Sequence, residues 1–308
     1  MERLRPVRLL ALLAVATLGL TACGGDPLAG GGSDSDPNVI AIGSGNFTES
    51  QLLAEVYSQA LQDAGVQVEE PVAIGSREAY FPALLDGSVD LIPDYTGAVL
   101  QYLNPGAEQT RPDDVYRALQ AELPPALVSG AMSQAQDKDA VVVTRATADR
   151  LRLRTIADLA PHCPDLVFGS GAEFATRPDG IPGLRETYGC VFGSTRTLDS
   201  GGVLTVAALA GDDVAAANLF TTDPALPEND FVALEDPQEN FAAQNVVPVL
   251  AKRKASPAVT GVLDRISAKL TTAELLAMNA EAAGPDKPAL RTVATSWLAR
   301  NGLLSPAP

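Results

Sequence analysis

The chain has 308 residues, 46% apolar and 19% charged, an ordinary globular balance with enough material for two lobes with real cores. Its formal net charge of −16 argues against a nucleic-acid binder, which needs clustered Lys and Arg. The acidity is mostly a solubility property and does not name a cationic ligand.

Residues 1–22 read as a targeting segment. Arg3, Arg5 and Arg8 give a positive start, and residues 9–20 are too short and too rich in small side chains for a good spanning helix. Leu20-Thr21-Ala22-Cys23 resembles the bacterial lipobox. That resemblance implies cleavage before Cys23 and lipidation of its thiol and amine; an uncleaved anchor and an ordinary signal peptide are the alternatives. Several acyl chains on one residue make a stable anchor. The expected location is the extracytoplasmic face of the cell membrane. Residues 23–38 are a flexible tether of Gly, Ser, Asp and Pro.

A short strand is expected over 39–42, then a loop, Gly43-Ser44-Gly45-Asn46-Phe47. Thr48-Glu49-Ser50-Gln51 fits a capping box that starts a helix. Leu52, Leu53, Val56, Tyr57, Ala60 and Leu61 form its apolar face, and Gly65 ends it. Residues 66–74 are extended, and 76–85 form a helix despite Pro82. A strand over 89–92 is expected to halt at Pro93, and Tyr95-Thr96-Gly97 turns into an apolar segment over 98–103. The carboxyl end of a strand leading into a helix is where open α/β sheets bind ligands. Tyr95 offers an aromatic face there and Asp94 a charge.

Farther on, 113–122 are helical, 140–144 a β-branched strand, 147–159 helical and 166–168 a strand. Export makes a Cys163–Cys190 disulfide the default; it would close a loop of ~28 residues, and two buried thiols are the alternative. His162, the single histidine, reads as a surface residue, which leaves no His-based triad or zinc cluster. No cofactor or metal is expected. Residues 223–237 read as a Pro- and acid-rich loop and 245–250 as a strand. Three helices follow over 256–270, 272–282 and 288–301, with Trp297 as a packing residue.

The chain also echoes itself. Gly43-Ser44-Gly45 and Gly169-Ser170-Gly171 are offset by 126, and Val89, Tyr95 and Thr96 match Val214, Phe220 and Thr221 at an offset of 125. This spacing predicts two lobes of similar topology, with both Gly-Ser loops and both aromatics facing one cleft. Free N–H groups at such loops can hold an anion; a plain tight turn is the alternative. Neither loop carries a Walker-type Lys.

Residues 42–49 (Ile-Gly-Ser-Gly-Asn-Phe-Thr-Glu), Asp94-Tyr95-Thr96-Gly97, Glu173-Phe174-Ala175-Thr176-Arg177-Pro178-Asp179-Gly180, Phe220-Thr221-Thr222-Asp223 and Leu234-Glu235-Asp236-Pro237 are similar to the signatures of one family. It comprises the substrate-binding lipoproteins of ABC importers for glycine betaine, choline and carnitine (OpuAC/ProX-like). The resemblance implies an α/β, two-lobed periplasmic-binding-protein fold (type II) with the ligand cleft between the lobes. Hinge crossings are expected near 140–144 and 246–250. Lobe 1 would comprise 39–142 plus 249–308, and lobe 2 143–248. It further implies a non-enzymatic, monomeric protein that binds a small molecule and delivers it to permease and ATPase subunits.

In that family aromatic faces hold a quaternary ammonium by cation–π attraction, and N–H groups or an Arg hold a carboxylate tail. Tyr95 matches a cage tyrosine and Arg177 the arginine. Phe220 stands where the family has Tyr, Gln244 stands where a Tyr precedes the late strand, and Asp137-Lys138-Asp139 lie where an aromatic often stands. Phe241 is the one aromatic nearby. The candidate ligand-binding set is Tyr95, Phe220, Arg177, Asp139, Gln244, Asp94, Asn46, Ser44, Glu173, Thr221 and Asp137. Such a pocket could bind a cation by charge, or a polyol or phenolic ligand. A sensory lipoprotein uses the same fold. An exported hydrolase built on Asp94 and Asp139 lacks any motif that positions a nucleophile.

Overall fold

A computed structural model describes residues 39–305. The targeting segment, Cys23 and the tether lie outside the described residues. The first run is β1 (Val39–Ile40), β2 (Gly43–Gly45), α1 (Thr48–Asp63), β3 (Gln67–Val68), β4 (Val72–Gly75), α2 (Arg77–Asp86), β5 (Leu91–Tyr95), α3 (Thr96–Leu103), α4 (Pro112–Glu122) and β6 (Leu127–Ser129). The second is β7 (Asp139–Thr144), α5 (Arg145–Leu151), α6 (Ile156–Leu159), β8 (Val167–Ser170), α7 (Ile181–Tyr188), β9 (Ser194–Thr197), α8 (Val203–Ala210), β10 (Ala216–Phe220), α9 (Ala225–Glu228) and β11 (Phe231–Ala233). The chain then returns through β12 (Val246–Ala251), α10 (Pro257–Lys269), α11 (Thr272–Ala283) and α12 (Leu290–Arg300).

Besides the short parallel pair β1–β3, two larger sheets form, and they match strand for strand. The first runs β4-β2-β5-β12-β6, with β2 joined to β5 by the parallel Ile42–Leu91 bridge. The second runs β9-β8-β10-β7-β11. In both, the first three strands are parallel and the last two pairings antiparallel. The echo in the sequence is thus a repeat of topology. Even its details recur: the Ser44 and Ser170 hydroxyls each donate to the carbonyl of the next residue, at 3.0 and 3.2 Å. The chain leaves the first sheet after Ser129 and returns after Ala233, so the crossings run through 130–138 and 234–245. The strands at 139–144 and 246–251, where crossings were expected, pair wholly within the second and first sheets respectively.

The central strands of each sheet are buried on both faces, and alternation sends successive side chains to different cores. On β12, Val246 and Leu250 face a core built with α1, α10, α11 and α12, while Val247 and Val249 face one built with α2, α3 and α4. On β7, Val141 and Val143 face one core and Ala140 and Val142 the other. Trp297 is fully buried in the first of these cores, and its indole N–H donates to Glu274 at 2.7 Å. Cys163 and Cys190 form the disulfide, with Cα atoms 5.4 Å apart. Reducing it is expected to destabilise the protein by about 3 kcal/mol. Denaturant melts with and without reductant check this, and an unchanged midpoint contradicts it.

Several local expectations are corrected. Gly43–Gly45 is strand, held by β4, rather than loop. The first helix is capped by Phe47, which makes no side-chain cap bond; Thr48 is already helical, so the capping box is absent. Its end does follow the expected pattern: Gly65 (φ 81°) closes a Schellman motif, with Val66 N–H on Leu61 and Gly65 N–H on Gln62. Pro93 does not halt β5. It lies opposite Pro248, and Asp94 and Ile92 occupy the alternate rungs. The Asp90–Ala251 and Thr96–Asn245 bonds place Pro93–Pro248 on a non-hydrogen-bonded rung, where the missing donors cost nothing between these strands. On the far side of Pro248, the Tyr116 hydroxyl supplies the missing donor to Gly130 at 2.7 Å. Residues 147–159 form two helices, because Arg152 turns left-handed (φ 59°) and Thr155–Asp158 makes a capping box. The segment 223–237 is not all loop: it contains α9 and β11, which closes the second sheet against β7.

Candidate functional site

The matched sheets explain how distant residues meet. In each lobe the parallel strands end at one edge, and their carboxyl ends carry the site. From the first lobe, β2 delivers Asn46 and Phe47, β4 delivers Ser76 and Arg77, and β5 delivers Tyr95. From the second, β8 leads to Glu173, β9 to Ser200, and β10 ends on Phe220. The antiparallel strands add residues from their amino ends: Asp139, paired in register with Phe220, and Gln244, just before β12. All of these line one cavity of ≈ 50 Å³ between the lobes. That is room for roughly four waters at ~10–15 Å³ each, so the lobes are closed around it.

Three aromatic rings stack across the cleft. Phe47 lies 6.3 Å from Tyr95 and 5.4 Å from Phe220, with interplanar angles of 27° and 24°. Phe220 can approach because Gly201 (φ 69°) has no side chain: a Cβ there would fall 2.7 Å from the ring. We expect Gly201→Ala to displace Phe220 and weaken any ligand resting on it. A crystal structure of the variant with Phe220 unmoved would contradict this. The Tyr95 hydroxyl donates to Glu49 at 2.6 Å. Burial, then the Glu49 charge, pushes that hydroxyl well above its usual range, so it remains a donor.

Two arginines reach the cavity. Arg77 is buried and held by Asp94 at 2.6 and 3.3 Å. Asp94 also accepts from the Tyr80 hydroxyl and the Tyr95 N–H, both at 2.8 Å. Arg177, from the second lobe, forms an ion pair with Glu78 of the first at 3.5 Å. Asp137, Asp139 and Glu173 line the same cavity, and Asp139 lies close enough to Arg177 and Arg77 to feel their charge. Asp139 accepts from Asn218 at 2.8 Å, and burial pushes its carboxyl above the usual range despite Arg177. Glu173 accepts from the Ser200 hydroxyl. Gln244 accepts the N–H of Ala98 at 2.8 Å, satisfying a free donor at the start of α3, so its NH₂ is the group it offers the cavity.

Of the expected residues, Tyr95, Phe220, Arg177, Asp139, Gln244, Asn46, Glu173 and Asp137 line the cavity. Three do not. Asp94 is consumed by Arg77 and Tyr80 behind the wall. Ser44 is buried and bonded to Gly45. Thr221 ties the end of β10 to the first crossing, accepting from Lys138 N–H at 2.9 Å and donating to Asp137 at 3.2 Å. Phe241 belongs to the second lobe's core, beside Phe174. Sequence reasoning missed Phe47, Arg77 and Tyr80. Phe47 had a signal, an aromatic directly after the first Gly-Ser loop; Arg77 and Tyr80 had none beyond standing at the start of α2.

One cavity thus brings together aromatic faces, carboxylates and guanidinium groups, the chemistry a small zwitterion needs. Residues 38–300 match the OpuAC family, described as "Substrate binding domain of ABC-type glycine betaine transport system". The "Glycine-betaine-binding protein" of Pseudomonas aeruginosa is 29% identical over 287 residues, covering 89% of this chain and 88% of its own. The "Ergothioneine transport permease/ergothioneine binding protein EgtU" of Helicobacter pylori is 24% identical, and the match covers 86% of this chain but 48% of that longer protein. Among solved structures, a "glycine betaine/carnitine/choline ABC transporter" protein superposes with a TM-score of 0.67 at 23% identity, over 86% of this chain and 100% of that one.

Proposed function

The chain belongs to the family of substrate-binding domains of ABC-type glycine betaine transport systems, and from that premise we propose that it captures a quaternary-ammonium zwitterion in the cleft between its lobes and delivers it to a membrane permease. The observation that carries this reading is the Tyr95–Phe47–Phe220 stack in one cavity with the carboxylates of Asp137 and Asp139 and the guanidinium groups of Arg77 and Arg177. Each aromatic face is worth ~0.5–2 kcal/mol to a cation. The guanidinium groups pair with a carboxylate tail through charge-assisted hydrogen bonds.

Closure follows from where the contacts lie. Phe47 belongs to one lobe and Phe220 to the other; so do Glu78 and Arg177, and Glu49 and Thr222 (2.6 Å). A ligand touching both lobes favours the closed state by its differential affinity. In our reading the protein is a monomer, works without catalysis, and is held on the extracytoplasmic face of the membrane by lipid on Cys23. Cys23→Ala is expected to release it from the membrane fraction; retention of the variant there would remove the lipid anchor from the account.

The test of function is a calorimetric screen with glycine betaine, choline, carnitine and ergothioneine against sugars, polyols and phenolic acids. Saturable 1:1 binding confined to the quaternary ammonium compounds is expected. Binding of a polyol or phenolic acid with no quaternary ligand bound would overturn the reading.

A further inference from the structure

A second cavity lies between the lobes, and it shares Arg77, Ala98, Asp139 and Arg177 with the first. Its volume is ≈ 190 Å³, nearly four times the ≈ 50 Å³ of the first. At ~10–15 Å³ per water that is room for about a dozen, more than a five-membered ring displaces. Gln101, Tyr102 and Pro105 line it from the first lobe, and Pro178 and Asp179 from the second.

The polar groups it adds are unengaged. Asp179 is 7% exposed, and its carboxyl takes a hydrogen bond from its own backbone N–H alone. Among the described residues no other side chain bonds to it or pairs with it. The Tyr102 ring packs on Phe81 with centroids 4.9 Å apart, and its hydroxyl has no partner. The Gln101 amide likewise engages nothing.

Other buried carboxylates around the cleft are fully used. Asp94 holds Arg77 and the Tyr80 hydroxyl, and Glu49 holds Tyr95, Thr222 and Asn279. Burying a carboxylate without a partner is costly, so one left unpaired on a cavity wall marks a contact for a ligand to complete. Burial, then the charge of Asp139, pushes the Asp179 carboxyl up to about 6, and above that pH it is an acceptor only.

We propose that the second cavity is a subsite for a side arm of the ligand, a flat ring that donates one hydrogen bond to Asp179 and accepts one from the Tyr102 hydroxyl. The proposal rests on the function argued above and narrows its ligand class to betaines substituted on the carbon between carboxylate and nitrogen. Such a molecule branches at that carbon. Its carboxylate meets Arg77 and Arg177, which border both cavities. Its quaternary nitrogen takes the aromatic faces of the first cavity. Its arm enters the second, where Pro105 and Pro178 supply apolar walls. A neutral imidazole has the required one donor and one acceptor. Glycine betaine has no arm and leaves Asp179 unpaired.

The test is calorimetric titration of the purified protein at about pH 8, where an imidazole is neutral and Asp179 is ionised. The probes are glycine betaine, histidine betaine and phenylalanine betaine, the last with a flat arm that carries no polar atom. Histidine betaine is expected to bind at least ~10-fold more tightly than either, the gain from one hydrogen bond to a buried charge. Asp179→Ala should shrink the preference for histidine betaine over glycine betaine to within ~threefold. Tyr102→Phe, which keeps the ring on Phe81, should lower the same preference at least ~threefold and serves if the first variant unfolds. Histidine betaine binding no more tightly than glycine betaine, or no more tightly than phenylalanine betaine, overturns the proposal and leaves the function standing. Failure of all the betaines to bind overturns the function beneath it as well.

Discussion

Tyr95→Ala is expected to weaken glycine betaine binding by about 10- to 30-fold, the equivalent of the ~1.4–2 kcal/mol a well-placed aromatic face gives a desolvated cation. Tyr95 is the right residue for that loss because its ring is one end of the stack and its hydroxyl is spoken for. The Glu49 bond, 2.6 Å long, fixes the ring's orientation while leaving its face toward the cavity. Tyr95→Phe separates the two roles. It keeps the face and removes the hydroxyl, so affinity should stay within about threefold while the protein loses roughly 1 kcal/mol or more of stability, since Glu49 is left one donor short. Calorimetry for affinity and thermal melting for stability read the two effects independently. Equal affinity for Tyr95→Ala and the parent would remove this ring from the site.

The largest effect on folding is expected at Asp94, not at any residue on the cavity wall. Asp94→Ala leaves the Arg77 guanidinium buried without its carboxylate, and breaking one partner of a buried pair costs about 3–5 kcal/mol. Tyr80 would lose its acceptor in the same step. The double variant Arg77→Met, Asp94→Leu should recover most of that loss, because replacing both charges with apolar groups is often neutral or better. It should not recover binding, since Arg77 faces the cavity. Urea melts of the single and double variants give the stability side. A single variant as stable as the parent would mean that Arg77 does not depend on Asp94.

Much of this was readable in the chain. The offset between Tyr95 and Phe220 placed two aromatics at equivalent strand ends, and strand topology did the rest: β5 and β10 hold the same position in matching sheets. Glu173 and Arg177 came from a stretch that resembles a family signature, and Asp139 from the stretch where that family often carries an aromatic. Asp94 was misjudged because proximity to a ligand-binding strand end does not reveal who claims a charge first; Arg77 lies 17 residues upstream and is brought in by α2. Pro93 was read as a stop because its missing donor matters only on a hydrogen-bonded rung, and the rung is set by a partner strand 155 residues away. Gln244 looked like a lost cage wall. Its carbonyl in fact bonds the N-terminal turn of α3, a helix-end need that only the fold exposes. Glu49 was passed over as a capping-box residue, yet it links α1, β5, the loop after β10 and α11.

The account rests on the cleft recognising positive charge on a methylated nitrogen, and one comparison isolates that term. Glycine betaine and 3,3-dimethylbutanoate share shape and carboxylate, but the second has a neutral carbon where the first has the quaternary nitrogen. Titrating both into the purified protein should give tight binding of glycine betaine and at least ~10-fold weaker binding of the carbon analogue, the loss expected when two aromatic faces and two carboxylates no longer meet a cation. Equal affinity, or preference for the neutral analogue, would contradict it.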